Sequence, residues 1–239
     1  MKEFLILRLD APLMSFGGTR VDQIGPTQDH PSLSLLTGLL GSALGFRHRD
    51  PAKLQSLQER IRYGVRRERA GVLITDYQTV DLGQDFLVET GWTTWGHVQS
   101  RAGAFSEGTH IRYRDYWADA EFTVVLTLEP AETQPTVDAL ANALTEPARP
   151  LFIGRKPCLP AAPIFRGRVE AASIVDALRK APSATGVHDG HVWAWWPEDE
   201  GGPAGEVRVV TDERDWANQI HGGERLIREG WLPLEGGRG

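Results

Sequence analysis

The chain has 239 residues, 41% of them hydrophobic, with 8 Trp and 8 Phe, so one large domain or two small ones can bury a real core. Its net charge of −6 argues against a free-standing, nonspecific nucleic-acid binder, yet allows a subunit with one basic face and one acidic face. The single Cys158 excludes an internal disulfide framework and a multi-cysteine zinc site. The N-terminal apolar run is too short for a signal peptide, and no run approaches the roughly 20 residues that cross a bilayer, so a soluble cytoplasmic protein without membrane contact is expected.

Phe4 to Leu9, FLILRL, predicts a buried strand that ends before Pro12. MSFGG, residues 14 to 18, is a flexible turn, and residues 19 to 31 form a long polar loop in which Arg20 and Gln23 are candidate partner contacts. Ser32 caps a strong helix over residues 32 to 46. Gly38, Gly41 and Gly45 share one face of that helix, which predicts close packing, with a sheet as the favoured neighbour. A second helix spans Pro51 to Ile61. YGVRRER, residues 63 to 69, reads as a polar strand, and VLITDYQTV, residues 72 to 80, as the next one.

Residues 81 to 113 resist assignment. They mix Phe86, Trp92, Trp95 and Phe105 with five glycines, and Arg101 and Arg112 lie in the second half, with Arg114 just beyond. A loop this long inside a compact domain is functional or disordered, and its aromatics favour a functional arm. Aromatics among arginines suit a single strand of nucleic acid; equally, they suit a loop pinned to its own domain.

Phe122 to Leu128 carries the clearest strand alternation, and residues 136 to 144 form a short helix. Arg149 to Arg168 follows, with five basic residues and no acid. There Gly154 precedes Arg155 and Lys156, a glycine turn with adjacent cations that suits a phosphate-binding concavity as well as a solvated basic loop. Residues 164 to 171 close a strand–helix–strand–strand–helix–strand order, the pattern of a ferredoxin-like α+β domain over residues 1–172. Residues 173–239 form a small β-rich C-terminal region, with a helical segment at 173 to 180, HVWAWW and EVRVVTD as a pair of strands, and a charged stretch from 214 to 230.

No nucleotide-binding loop, hydrolase elbow or zinc-protease motif occurs, and no metal or cofactor is expected. A metal-independent ribonuclease needs a base, an acid and a cation. His97 or His110 with Tyr113 and Lys156 are the candidates, though no spacing ties them together.

The stretches FLILRLDAPLMSFG, PTQDHPSLSLLTGLLGSALGF, DYQTV, RYRDYWADAEFTV and LFIGRKPC, in this order, resemble the CasD-type subunits of Cascade, the type I-E CRISPR surveillance complex, within the RAMP superfamily. The resemblance covers most of the first 170 residues and only loosely the last 65 or so. It implies a ferredoxin-like domain with an inserted β-hairpin thumb at about 81–113, and a non-catalytic, RNA-binding role in antiviral DNA interference. Such a subunit holds the 5′ handle of the CRISPR RNA and caps the backbone of the complex. Gly154, Arg155 and Lys156 would correspond to the glycine-rich loop, and Arg114, with Tyr113 beside it, to the base of the thumb. The implied partners are the CRISPR RNA, the Cascade backbone subunit and the large PAM-reading subunit, with target DNA contacted indirectly. Related type I-C members cleave repeat RNA themselves, which makes a metal-independent endoribonuclease the alternative.

Overall fold

The computed structural model describes residues 1–18, 23–47, 49–81, 91–92, 98–99, 109–184 and 190–234. In chain order the elements are β1 (Lys2–Asp10), β2 (Leu13–Met14), β3 (Ile24–Gly25), α1 (Leu33–Ala43), α2 (Pro51–Arg60), β4 (Ile61–Arg69), β5 (Val72–Asp81), β6 (Gly91–Trp92), β7 (Val98–Gln99), β8 (Thr109–Ala118), β9 (Glu121–Leu128), α3 (Val137–Thr145), β10 (Phe165–Ala171), α4 (Ile174–Lys180), β11 (His191–Pro197), β12 (Glu206–Val210), β13 (Glu213–Asp215), β14 (Ile220–Gly222) and β15 (Arg225–Pro233). None of the described helices is long and apolar enough to cross a membrane.

The main sheet has seven strands in the order β10-β1-β9-β4-β11-β15-β12, every neighbouring pair antiparallel. It is covered on both faces, which explains the unbroken apolar run of β1. Leu5, Leu7 and Leu9 enter the core under α1 and α3, while Phe4 and Ile6 face α4. Strand β4, read from its sequence as a polar strand, is largely buried. Tyr63 and Val65 enter the α1 side, Gly64 leaves room for Ile174 and Leu178 of α4, and Arg66 with Glu68 forms an ion pair of which neither side chain is exposed. The remaining Arg66 donors reach the carbonyls of Leu178 and Pro182, so the buried charge is satisfied on every side.

The α1 glycines meet different neighbours from the sheet that the sequence favours. A Cβ on Gly41 would lie 2.5 Å from Leu54 of α2, and one on Gly38 would lie 3.6 Å from Trp216. Gly45, at φ +81°, ends the helix in the left-handed region, with the Phe46 amide bonded back to the Gly41 carbonyl. Ser32 caps α1 as expected, accepting from the Leu35 amide.

The C-terminal region differs in its pairing. β11 and β12 do not pair with each other; β15, from the stretch read as merely charged, lies between them and hydrogen-bonds both. Arg228 meets Glu198, and Glu229 accepts from the Trp195 indole, so the charges of β15 are used at its flanks.

A second sheet is organised by β8. β5 pairs along its whole length, from Val72 opposite Ala118 to Asp81 opposite Thr109, and the short β2 and β3 take its other edge. β5 and β8 continue β4 and β9 across a sharp bend. Gly71, at φ +66°, makes that bend: a Cβ there would lie 2.5 Å from the Ala118 carbonyl oxygen.

One carboxylate ties the two ends of the chain together. Asp212, 1% exposed, accepts from the Leu33 amide at the start of α1, from Tyr63 of β4 and from Arg225 of β15. Burial pushes its pKa up, but the Arg225 hydrogen bonds and charge and the Leu33 amide outweigh that and hold it below the usual carboxylate value. Replacing it strands Arg225 without its counter-charge. Asp212→Ala is expected to cost about 3–5 kcal/mol of unfolding free energy at pH 7, measured by chemical denaturation. Because the folded pKa is depressed, the contribution is complete above about pH 4 and is lost as pH falls through the folded value, so wild type and variant converge in acid.

Candidate functional site

The loop after Phe152 folds back on the start of the chain. The Ser15 amide donates to the Ile153 carbonyl, and the Ile153 and Cys158 amides close the loop on Cys158 and Arg155. Gly154, at φ +101°, is where this loop presses on Ser15; a Cβ would lie 1.7 Å from the Ser15 carbonyl oxygen. No other residue type keeps that approach. Cys158 is free and buried, and burial raises its thiol pKa, which favours the neutral thiol packed in the core.

Arg155 leaves the loop toward β8. Its guanidinium lies 4.8 Å above the Tyr116 ring and donates to the carbonyls of Asp115 at 3.0 Å and Gly25 at 2.7 Å. Gly25 sits between two arginines: a Cβ there would lie 2.9 Å from Arg114 Cδ and 3.0 Å from Arg155 Nη2. Arg114 donates to the carbonyls of Gln23 and Tyr113. Lys156 is exposed, and no described residue hydrogen-bonds or ion-pairs with it.

Strand alternation sorts the β8 candidates. Arg112, Arg114 and the buried Tyr116 share one face, the face that Arg155 covers. Tyr113 lies on the other face, its ring 5.6 Å from Tyr77. His110 shares the arginine face, so the candidate set of His110, Tyr113 and Lys156 is split across the strand. Gln23 contributes its backbone, accepting from the Tyr113 amide as well. Arg20, His97 and Arg101 lie outside the described residues. A cleft of about 520 Å³ opens beside Gly154 and Arg155 and is walled by Ser15 to Gly18.

The model of the family described as CRISPR-associated protein (Cas_Cas5) matches residues 4–228. The chain belongs to that family. It is 33% identical over 180 residues to the CRISPR system Cascade subunit CasD of Escherichia coli (strain K12), covering 74% of this chain and 76% of that protein. Among solved structures, a chain of a CRISPR RNA-guided surveillance complex superposes with a TM-score of 0.71 at 26% identity, over 97% of this chain and 90% of that one. A crystal structure of a Cas protein superposes with a TM-score of 0.65 at 26% identity, over 98% and 100%.

Within this Cas family member, three contributors to the site escaped the sequence reading. Gly25 ends the short β3 before Pro26, Ser15 sits in the MSFGG stretch, and Tyr116 stands two residues after Arg114. Only the last had a signal, since a two-residue step in a strand keeps the same face.

The Gly154 turn is the joint of this arrangement. Gly154→Ala adds a backbone clash to an unfavourable φ and is expected to lower stability by roughly 2–5 kcal/mol in thermal or chemical denaturation. Gly167→Ala, at φ +127° with nothing within 4 Å, carries the φ strain alone and is the smaller loss.

Proposed function

We propose that this chain is a non-catalytic, RNA-binding subunit of a Cascade-type CRISPR surveillance complex, holding the 5′ handle of the CRISPR RNA and capping the backbone of the complex. The observation that carries this reading is the pairing of a rigid glycine turn with an exposed, unpartnered Lys156, beside a β8 face that carries Arg112 and Arg114. A glycine turn with an adjacent exposed cation suits phosphate oxygens. Arg155 acts differently from Lys156: its donors reach carbonyls, so it shapes the cradle while Lys156 offers charge to the ligand.

The four strands β10-β1-β9-β4, with α1, α2 and α3, are read as the ferredoxin-like unit, and residues 173–239 as a C-terminal region that extends its sheet. The β5–β8 ribbon is read as the root of the thumb. Its exposed Val72, Leu73 and Tyr77 suit a protein neighbour better than water, in keeping with a backbone subunit and a large PAM-reading subunit nearby. The acidic net charge then belongs to faces that meet protein or solvent and not to the RNA cradle. The His110 form of the endonuclease alternative loses support because His110 and Tyr113 face opposite ways on β8, while His97 lies outside the described residues.

Binding of repeat-derived RNA, followed by anisotropy over a salt series, tests the reading. Lys156→Gln is expected to weaken binding about tenfold and to lower the slope of log K against log salt by about 0.7. An unchanged affinity and slope would remove the loop from the RNA site.

A further inference from the structure

Across the cleft from the Gly154 loop stands the β13–β14 hairpin. Arg214 and His221 lie opposite each other in its register, and both line the cleft. Among the described residues no aspartate or glutamate lines it, in a chain of net charge −6. The Arg214 guanidinium lies 5.3 Å over the Trp216 ring and donates to the Gln219 carbonyl at 3.2 Å and the Gln219 side-chain oxygen at 2.7 Å, both neutral. Its Nε is buried without a hydrogen-bond partner among the described residues. On the facing wall Ser15, 1% exposed, has a buried Oγ that is likewise unpartnered. Burial with no counter-charge lowers the pKa of Arg214, and burial followed by the Arg214 charge lowers that of His221. A half-buried cation without a carboxylate is unfavourable until an anion reaches it.

We propose that this hairpin is the second wall of the RNA site, with Arg214 and His221 holding a backbone phosphate of the CRISPR RNA and Ser15 Oγ donating to the same group. The cleft volume, within the range of about 300–1,000 Å³ typical of ligand sites, admits a nucleotide unit beside that phosphate. The RNA then runs from Lys156 on the Gly154 loop toward the hairpin, past the glycine turn at Gly17 and Gly18. The loosely matching C-terminal region thereby contributes binding residues of its own. This assignment rests on the RNA-handle reading above.

The test uses the full chain and a fluorescent single-stranded RNA of the repeat sequence, titrated by anisotropy over a salt series. Arg214→Gln and His221→Gln, each folded by circular dichroism, are compared with Lys156→Gln and Arg214→Lys. Arg214→Gln is expected to weaken binding about tenfold and to lower the salt slope by about 0.7, with Arg214→Lys restoring the slope. His221→Gln is expected to weaken binding too. If Lys156→Gln weakens binding while neither hairpin variant does, the RNA reading stands and the hairpin assignment falls. If the wild-type chain does not bind the RNA at all, the RNA reading fails and takes the assignment with it.

Discussion

The structure depends on one buried carboxylate. Asp212 is separated by 179 residues from Leu33, whose amide it accepts, and it also satisfies Tyr63 and Arg225. Four segments that share no local sequence are thereby fixed at one point: the start of α1, the first part of β4, the β12–β13 turn and the start of β15. The Arg225 guanidinium completes the arrangement by stacking 5.0 Å over the Tyr63 ring. None of these groups is tolerable alone in the interior, so the set holds together or fails together. The consequence for the site is direct. Arg214 and His221 follow Asp212 by two and nine residues, so the carboxylate that caps α1 also sets the hairpin over the cleft.

The opposite wall is built on different physics. Gly154 brings the loop backbone against Ser15, and Gly25 lets the Arg114 and Arg155 side chains pass closely. Arg155 then bridges loop, β3 and β8 through carbonyl oxygens and the Tyr116 ring. Glycine supplies contact distance and arginine supplies direction. One cation is consumed in shaping the cradle and its sequence neighbour is left facing solvent. In the proposed reading the scaffold Arg155 and the exposed Lys156 do separate jobs.

Much of the framework was legible in the sequence because its causes are local. FLILRL reads as a strand since both of its faces are buried, and Ser32 announces α1 since its hydroxyl meets an amide three residues on. The Gly154 turn is legible for the same reason. What sequence alone concealed is long-range. YGVRRER looks polar because Arg66 and Glu68 neutralise each other inside the protein, with Leu178 and Pro182 completing the shell from more than 100 residues away. β15 looks merely charged because the partners of Arg225, Arg228 and Glu229 lie on other segments. The same blindness hid Arg214, flanked in sequence by Glu213 and Asp215, while its guanidinium bonds only to Gln219 and stacks on Trp216.

The most direct measurement is cross-linking of the CRISPR RNA to this chain in the assembled complex, with the attached peptides identified by mass spectrometry. The account predicts cross-links in the Gly154–Lys156 loop, on the arginine face of β8 and in the β13–β14 hairpin. Cross-links confined to α4, β10 and the opposite face of the main sheet, with none in the loop or on β8, would contradict it.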